Sequence, residues 1–380
     1  MRVPPDKYTA ARRRARSSPR ARTCTGRVRA SLTAAIVVSC LSFFQSTNAH
    51  ARCLSVGVDL DEHLLVDPPR DEDYAGGLAV FLASTQHACG GRMPLSILGK
   101  LDHLFGIGAG SRSINRQTTD AVGGGLTVFT PANLRATSPN PGDRPYASLL
   151  YFSATRRVVN TRAQVAVDST WTIGLLGLGV GRDLQNVLHD VTGSQQAMGW
   201  RHQISAGGEL TAKFGVARQA LWWRTHLGRT DIDLKWSALA NVGTVTDAGV
   251  AWNLRVGRIR SPWWAYTPEQ NTYTDDFAAI PRIAVGGADW ELFAMAGARL
   301  RARAYDAFLQ GQFRHSDLRY PLSALRPVLA DAWFGLQWNV AHLFDLRYLA
   351  RIQTAELRNG PGARTLIWGS LEIEHSFCGC

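Results

Sequence analysis

Beyond residue 51 no run stays apolar for the ~18 residues that a membrane-spanning helix needs. The longest candidate, Trp171 to Val180, is short and glycine-rich. That excludes a helical membrane protein. Strong basic character is also missing from most of the chain, despite a net charge of +12. Residues 1–30 hold ten Lys/Arg and one Asp, and residues 31–51 hold no charge of either sign. From Arg52 onward there remain 32 of the 42 basic and 29 of the 30 acidic residues, a net of +3. No nucleic-acid partner is therefore expected. No Gly-x-Ser-x-Gly elbow occurs, and no Cys/His spacing suggests zinc. His315, Ser316 and Asp317 are sequence neighbours, which does not build a catalytic triad. Internal repeats and a second domain are absent as well, so one architecture must take up the chain after its leader.

The leader has the form of a secretion signal. A basic region runs to Arg29, an apolar segment spans Leu32 to Phe44, and Ala49 and Ala51 satisfy the small-residue cleavage rule. Residues 1–51 are thus expected to be removed, leaving 52–380. Val37-Val38-Ser39-Cys40 loosely resembles a lipidation site, but the apolar run continues past Cys40, which ranks that reading below simple cleavage. An exported chain without membrane helices is either soluble or a β-barrel.

Periodicity separates those two. From Asp231 the polar positions Asp231, Asp233, Lys235 and Ser237 alternate with Ile232, Leu234, Trp236 and Ala238. Phe334, Leu336, Trp338 and Val340 form one apolar face, and Leu346, Tyr348, Ala350 and Ile352 another. Arg299, Arg301 and Arg303 oppose Leu300, Ala302 and Ala304. Apolar faces rich in aromatics set against charged faces suit a barrel with lipid outside and a polar lumen, and the 12 Trp agree with membrane interfaces. The expectation is an all-β transmembrane antiparallel barrel of about 12 strands. They are placed near 54–61, 74–84, 121–130, 145–158, 163–180, 203–225, 231–243, 246–257, 290–312, 329–340, 344–355 and 364–377.

Asp183 to Trp200 reads as a short helix in a loop. Gln185, Asn186 and His189 share one helical face, and Gly193 stands where such a helix stops. A His presented there can act as a general base near neutral pH, or can be an ordinary surface residue. With the N-terminus in the periplasm, connections 62–73, 131–144 and 181–202 all face the exterior. The four later cysteines, Cys53, Cys89, Cys378 and Cys380, fall at the periplasmic end. Barrel closure pairs the first and last strands, so Cys53 is expected to form a disulfide with Cys378 or Cys380; free thiols are the alternative.

Phe129-Thr130-Pro131, Asp143-Arg144-Pro145-Tyr146-Ala147, Gln185-Asn186-x-x-His189, Gly193, Gly199-Trp200 and Gln203 together resemble the outer-membrane lipid A 3'-O-deacylase family in order and spacing. The likeness runs from about Val56 to Phe377. It implies a 12-stranded outer-membrane barrel that removes the 3'-linked acyl chain of lipid A with the help of calcium. His189 would be the base and Asp61 a catalytic partner. Calcium would be held by Asp61, with Asp59 and Gln195, and Arg135 or Arg144 would meet lipid A phosphates. The chain departs from the family pattern at Leu60 in place of Asn, Ala75 in place of Thr and Gln195 in place of Glu, and it has no loop Lys. The expected partners are lipid A and lipopolysaccharide, the expected state a monomer. The alternatives are a catalytically impaired barrel of the same fold that binds lipopolysaccharide or acts as a structural outer-membrane protein, and an uptake channel.

Overall fold

The structure, a computed structural model, describes residues 54–62, 65–66, 73–85, 102, 116–270, 290–340 and 344–377. The fold separates Met1–Asn48 from a second unit, Ala49–Cys380, to which every described residue belongs. The expected leader and all four later cysteines, including those of the expected disulfide, lie outside the described residues.

Twelve strands close into one antiparallel barrel. They are β1 (Leu54–Glu62), β2 (Asp73–Thr85), β3 (Arg116–Thr130), β4 (Ala147–Asn160), β5 (Val165–Leu176), β6 (Glu209–Leu227), β7 (Thr230–Gly243), β8 (Val245–Arg258), β9 (Glu291–Asp306), β10 (Val328–Val340), β11 (Phe344–Gln353) and β12 (Leu366–Phe377). Each pairs with its neighbour in sequence. The seam is β1 on β12, from Leu54↔Phe377 to Glu62↔Gly369. Closure removes the open edges that a sheet of this length would otherwise present to lipid. All twelve expected strands are found. The expected strand at 290–312 is too long: β9 ends at Asp306, whose side chain caps a helical turn, α2 (Ala307–Gln310). The expected strand at 203–225 starts too early, because the chain turns at Ser205, Gly207 and Gly208, all at positive φ, before β6 begins at Glu209.

The alternation seen in the sequence becomes a two-faced wall. In β4, Leu149 and Tyr151 are buried while Leu150 and Phe152 are exposed; in β10, Asp331 and Trp333 are buried while Phe334 and Leu336 are exposed. The exposed set consists of large apolar side chains, as a lipid-facing surface requires. Among the described residues no helix is long and apolar enough to cross a membrane.

The lumen is filled. The arginine ladder on β9 is paired throughout: Arg299 with Asp331 at 3.0 Å, Arg301 with Asp247 at 3.1 Å and Arg303 with Glu356 at 2.8 Å. The connection after β8 turns inward as far as Gln270. Glu269 accepts from Ser237 and Asn253, Gln270 donates to Asp168, and the Tyr266 carbonyl accepts from Lys235. Each of these charges is buried with a partner, which is the condition for keeping it there.

Candidate functional site between a helix and the outer wall

α1 (Val180–Thr192) follows β5 at the rim opposite the chain ends. It packs on β3 and β4. A Cβ on Gly181 would stand 2.5 Å from Ser148 Cβ and 3.5 Å from Val128 Cγ2, so only glycine permits this approach. Ser148 shares its strand face with Leu150 and Phe152, the exposed side of β4. The helix therefore lies on the lipid side of the wall, outside the lumen.

Its faces are reversed relative to a helix in water. Gln185 and His189, one turn apart, are buried against the barrel, whereas Val180, Leu184, Val187 and Leu188 are exposed. A polar face turned inward and an apolar face turned outward is stable where the surroundings are acyl chains. The helix stops at Gly193, which takes the left-handed conformation with φ 75°.

The chain then folds back and locks the polar face. His189 Nδ1 donates to the Gln195 carbonyl at 2.5 Å. A carbonyl only accepts, so the proton sits on Nδ1 and Nε2 is the basic nitrogen of the neutral ring. Trp200 Nε1 donates to Gln185 Oε1 at 3.0 Å, and the Trp200 ring packs on Tyr146 with centroids 4.9 Å apart. Ser148 Oγ donates to Gln203 Oε1 at 3.0 Å. Gln185, His189, Trp200 and Gln203, recognised in the sequence as a spaced pattern, thus belong to one clasp. Gln195 also carries Arg135: its Oε1 accepts from Arg135 Nε at 2.9 Å. An exposed guanidinium is thereby fixed on the residue that orients His189.

Asp143-Arg144-Pro145-Tyr146-Ala147 is scaffold. Asp143 accepts from Ala132 N at 3.0 Å and Asn140 Nδ2 at 3.1 Å, and Arg364 pairs with it at 2.8 Å. Arg144 was a candidate for lipid A phosphates. It is instead buried, paired with Glu356 and seated over the Phe129 ring at 4.0 Å from the centroid. Phe129 belongs to the luminal cluster with Tyr74 and Trp368, so Arg144 points away from the membrane.

The expected grouping of Asp59, Asp61 and Gln195 about one calcium ion is also corrected. Asp59 and Asp61 are buried, on the opposite face of β1 from Leu60, which is 38% exposed. Tyr74 OH donates to Asp61 Oδ2 at 2.9 Å, and the Tyr74 ring packs on luminal Trp368. Both carboxylates therefore stand inside the barrel, and His189 and Gln195 outside it. Period-two alternation puts residues 59 and 61 on one side but does not say which side the helix covers. Calcium takes six to eight oxygens, preferably with carboxylates among them. Among the described residues no three His, Cys, Asp or Glu come together to hold a metal ion. The residues carried over by resemblance do not fit the ion.

Glu62 is a carboxylate that strand parity places on the outer face. It is one step past Asp61, on the face of Leu60, and half-buried. A Cβ on Gly76 would lie 2.9 Å from Glu62 Oε2, so the absence of that carbon makes room for the carboxylate. Neighbouring Ala75 shares an apolar cluster with Val128, Tyr146 and Trp200. Leu60 and Ala75, two of the positions that depart from the family pattern, thus stand on the helix side of the wall.

Three loops meet above this rim. His202 Nδ1 bonds to the Asp317 carboxylate and Arg201 Nη2 donates to the Thr137 carbonyl at 2.8 Å. The bond from His202 holds the Asp317 carboxyl below its ordinary range. Tyr320 OH donates to the Asp143 carbonyl at 2.7 Å, and burial raises the pKa of that phenol.

A family model described as outer membrane protein LpxR matches residues 32–377. Among solved structures, LpxR from Salmonella typhimurium is 14% identical; the match covers 85% of this chain and 100% of that one with a TM-score of 0.64. The β domain of the Bordetella autotransporter Brka, 7% identical, covers 87% of this chain and 100% of that one with a TM-score of 0.35. The translocator domain of the autotransporter NalP from Neisseria meningitidis, 8% identical, covers 92% and 96% with a TM-score of 0.34. No curated protein sequence matches.

Proposed function

The chain belongs to the outer membrane protein LpxR family, and we propose that it acts there as an ester hydrolase that removes the 3'-linked acyl group of lipid A, with His189 as general base. The observation that carries this reading is the reversed helix. Its apolar stripe is exposed on the side where the bilayer would lie, and its histidine is buried against the wall. The rim opposite Leu54 and Phe377 is taken as the exterior, on the expectation that β1 begins and β12 ends on the periplasmic side. A lipid ester entering sideways from the leaflet would meet His189 without leaving its apolar surroundings.

With Nδ1 donating to the Gln195 carbonyl, His189 Nε2 takes a proton from water as that water attacks the ester carbonyl. The same nitrogen returns the proton to the departing sugar oxygen when the tetrahedral adduct collapses. Gln195 fixes the tautomer and ring angle, a positioning role. Arg135, exposed and bonded to Gln195, is the side chain we assign to a lipid A phosphate. No step is routed through calcium, because Asp59 and Asp61 face the lumen.

A second reading, a barrel that binds lipopolysaccharide without cutting it, is favoured by Leu60 and Ala75, which leave the wall beside the helix without the family's polar groups. One experiment separates the two. Lipid A is extracted from cells expressing the chain or its His189→Ala variant and weighed by mass spectrometry. The hydrolase reading expects loss of an acyl mass with the parent chain and none with the variant. Unchanged lipid A from cells holding the folded parent chain supports the binding reading.

A further inference from the structure

Around the barrel from α1, the exterior rim is notched. The β7–β8 hairpin turns at Thr244 with no loop, and the connection 307–327 arches over the gap. Ala307 N donates to the Thr244 carbonyl at 2.8 Å, Phe313 N to Glu209 Oε1 at 2.7 Å, and Arg314 Nη1 to the Gly208 carbonyl at 3.0 Å. Beneath this arch lies a cavity of about 950 Å³ walled by Leu210, Ala212, Thr244, Tyr305, Phe313 and Arg319. That is near the upper end of the range of small-molecule pockets.

The cavity opens toward lipid. In β6, Glu209, Thr211 and Lys213 are buried, while the alternating Leu210 and Ala212 face outward; Leu210 is 65% exposed. Phe313, on the arch, is 92% exposed. The cavity's lining carries one cation, Arg319, which is exposed, while the acid of the arch, Asp317, is bonded to His202. Apolar walls under a cationic lip match an acylated lipid with phosphate at its head.

We propose that this cavity holds an acyl chain of a resident lipid A molecule whose phosphate meets Arg319, distinct from the molecule presented to His189. The proposal rests on this rim facing the exterior and does not depend on hydrolysis.

The test is native mass spectrometry of the full chain purified from outer membranes and exchanged into a mild detergent. The expected result is one retained lipid A per barrel in the parent chain and equally in His189→Ala. In Arg319→Gln, and in Ala212→Trp/Arg319→Gln, the retained fraction should fall at least about tenfold, since a charge-assisted contact of this kind is worth a decade or more. Heat-modifiable migration on gels checks that each variant is folded, and Arg319→Gln alone suffices if the Trp variant does not fold. Retention unchanged in the folded variants overturns the proposal. So does loss of the lipid in His189→Ala, a retained phospholipid in place of lipid A, or no retained lipid. Failure of the hydrolase reading alone would leave lipid A uncut but still retained.

Discussion

Asp61 and His189 are separated by the thickness of the wall, and that separation fixes what each substitution can do. The Asp61 carboxylate accepts from Tyr74 in the lumen, beside Ser370 of β12 in the register. A buried hydrogen bond to a charged group is worth about 1.5–3 kcal/mol. Asp61→Asn should therefore lower the temperature at which the folded form is lost on heat-modification gels, while lipid A in the same cells is still shortened. Loss of hydrolysis with unchanged thermal stability would return Asp61 to the active site. The residue types were legible in the sequence: Gln185, Asn186 and His189 stood out by helical spacing, and Asp61 by its place at a strand end. Side was not legible. Arg144 illustrates the same limit, because its partner Glu356 is 212 positions away and only closure of the barrel brings them together.

At the scale of the element, α1 inverts the usual rule for an amphipathic helix. Val187 is 60% exposed and makes the middle of the apolar stripe. If the stripe rests in the leaflet, Val187→Glu places a charge among acyl chains, at a cost of about 2–4 kcal/mol at midplane and less near the interface. The helix should lift from the membrane, lowering lipid A hydrolysis in vesicles several-fold while strand folding, read by circular dichroism, is unchanged. Equal hydrolysis by the variant would show that the helix faces water. The strands, in contrast, could be read to within a few residues at most ends, because lipid on one side and charge on the other impose a strict period of two. The places where that reading overran most, near 177–180, 203–208 and 307–312, are rim segments. There the chain leaves the wall and side-chain caps replace ladder bonds.

The whole molecule is a closed wall around a filled interior. The Arg299, Arg301 and Arg303 ladder allowed an aqueous channel as one reading of the sequence. In the fold those guanidiniums are paired with Asp331, Asp247 and Glu356, and Trp263 to Gln270 occupy the space between. Reconstituted into planar bilayers, the protein should give no stable unitary current; a steady ohmic pore would mean that the inward connection leaves the lumen. A filled barrel is also a stiff one. Stiffness suits a site on the outer surface, where α1, Trp200 and Tyr146 need a wall that does not yield.

The sequence by itself determined the wall. Alternation of charge with large apolar groups, repeated twelve times without a repeat in the residues themselves, admits one solvent arrangement, lipid outside and polar groups within. It also singled out the histidine and its companions, since helical spacing is a local property. Only the tertiary structure decided which face each rim element covers. That depends on contacts between residues tens to hundreds of positions apart: Gly181 against Ser148, Tyr74 against Asp61, Glu356 against Arg144. Such contacts leave no local period to read, and here they divide Asp59 and Asp61 of β1 from the base of α1.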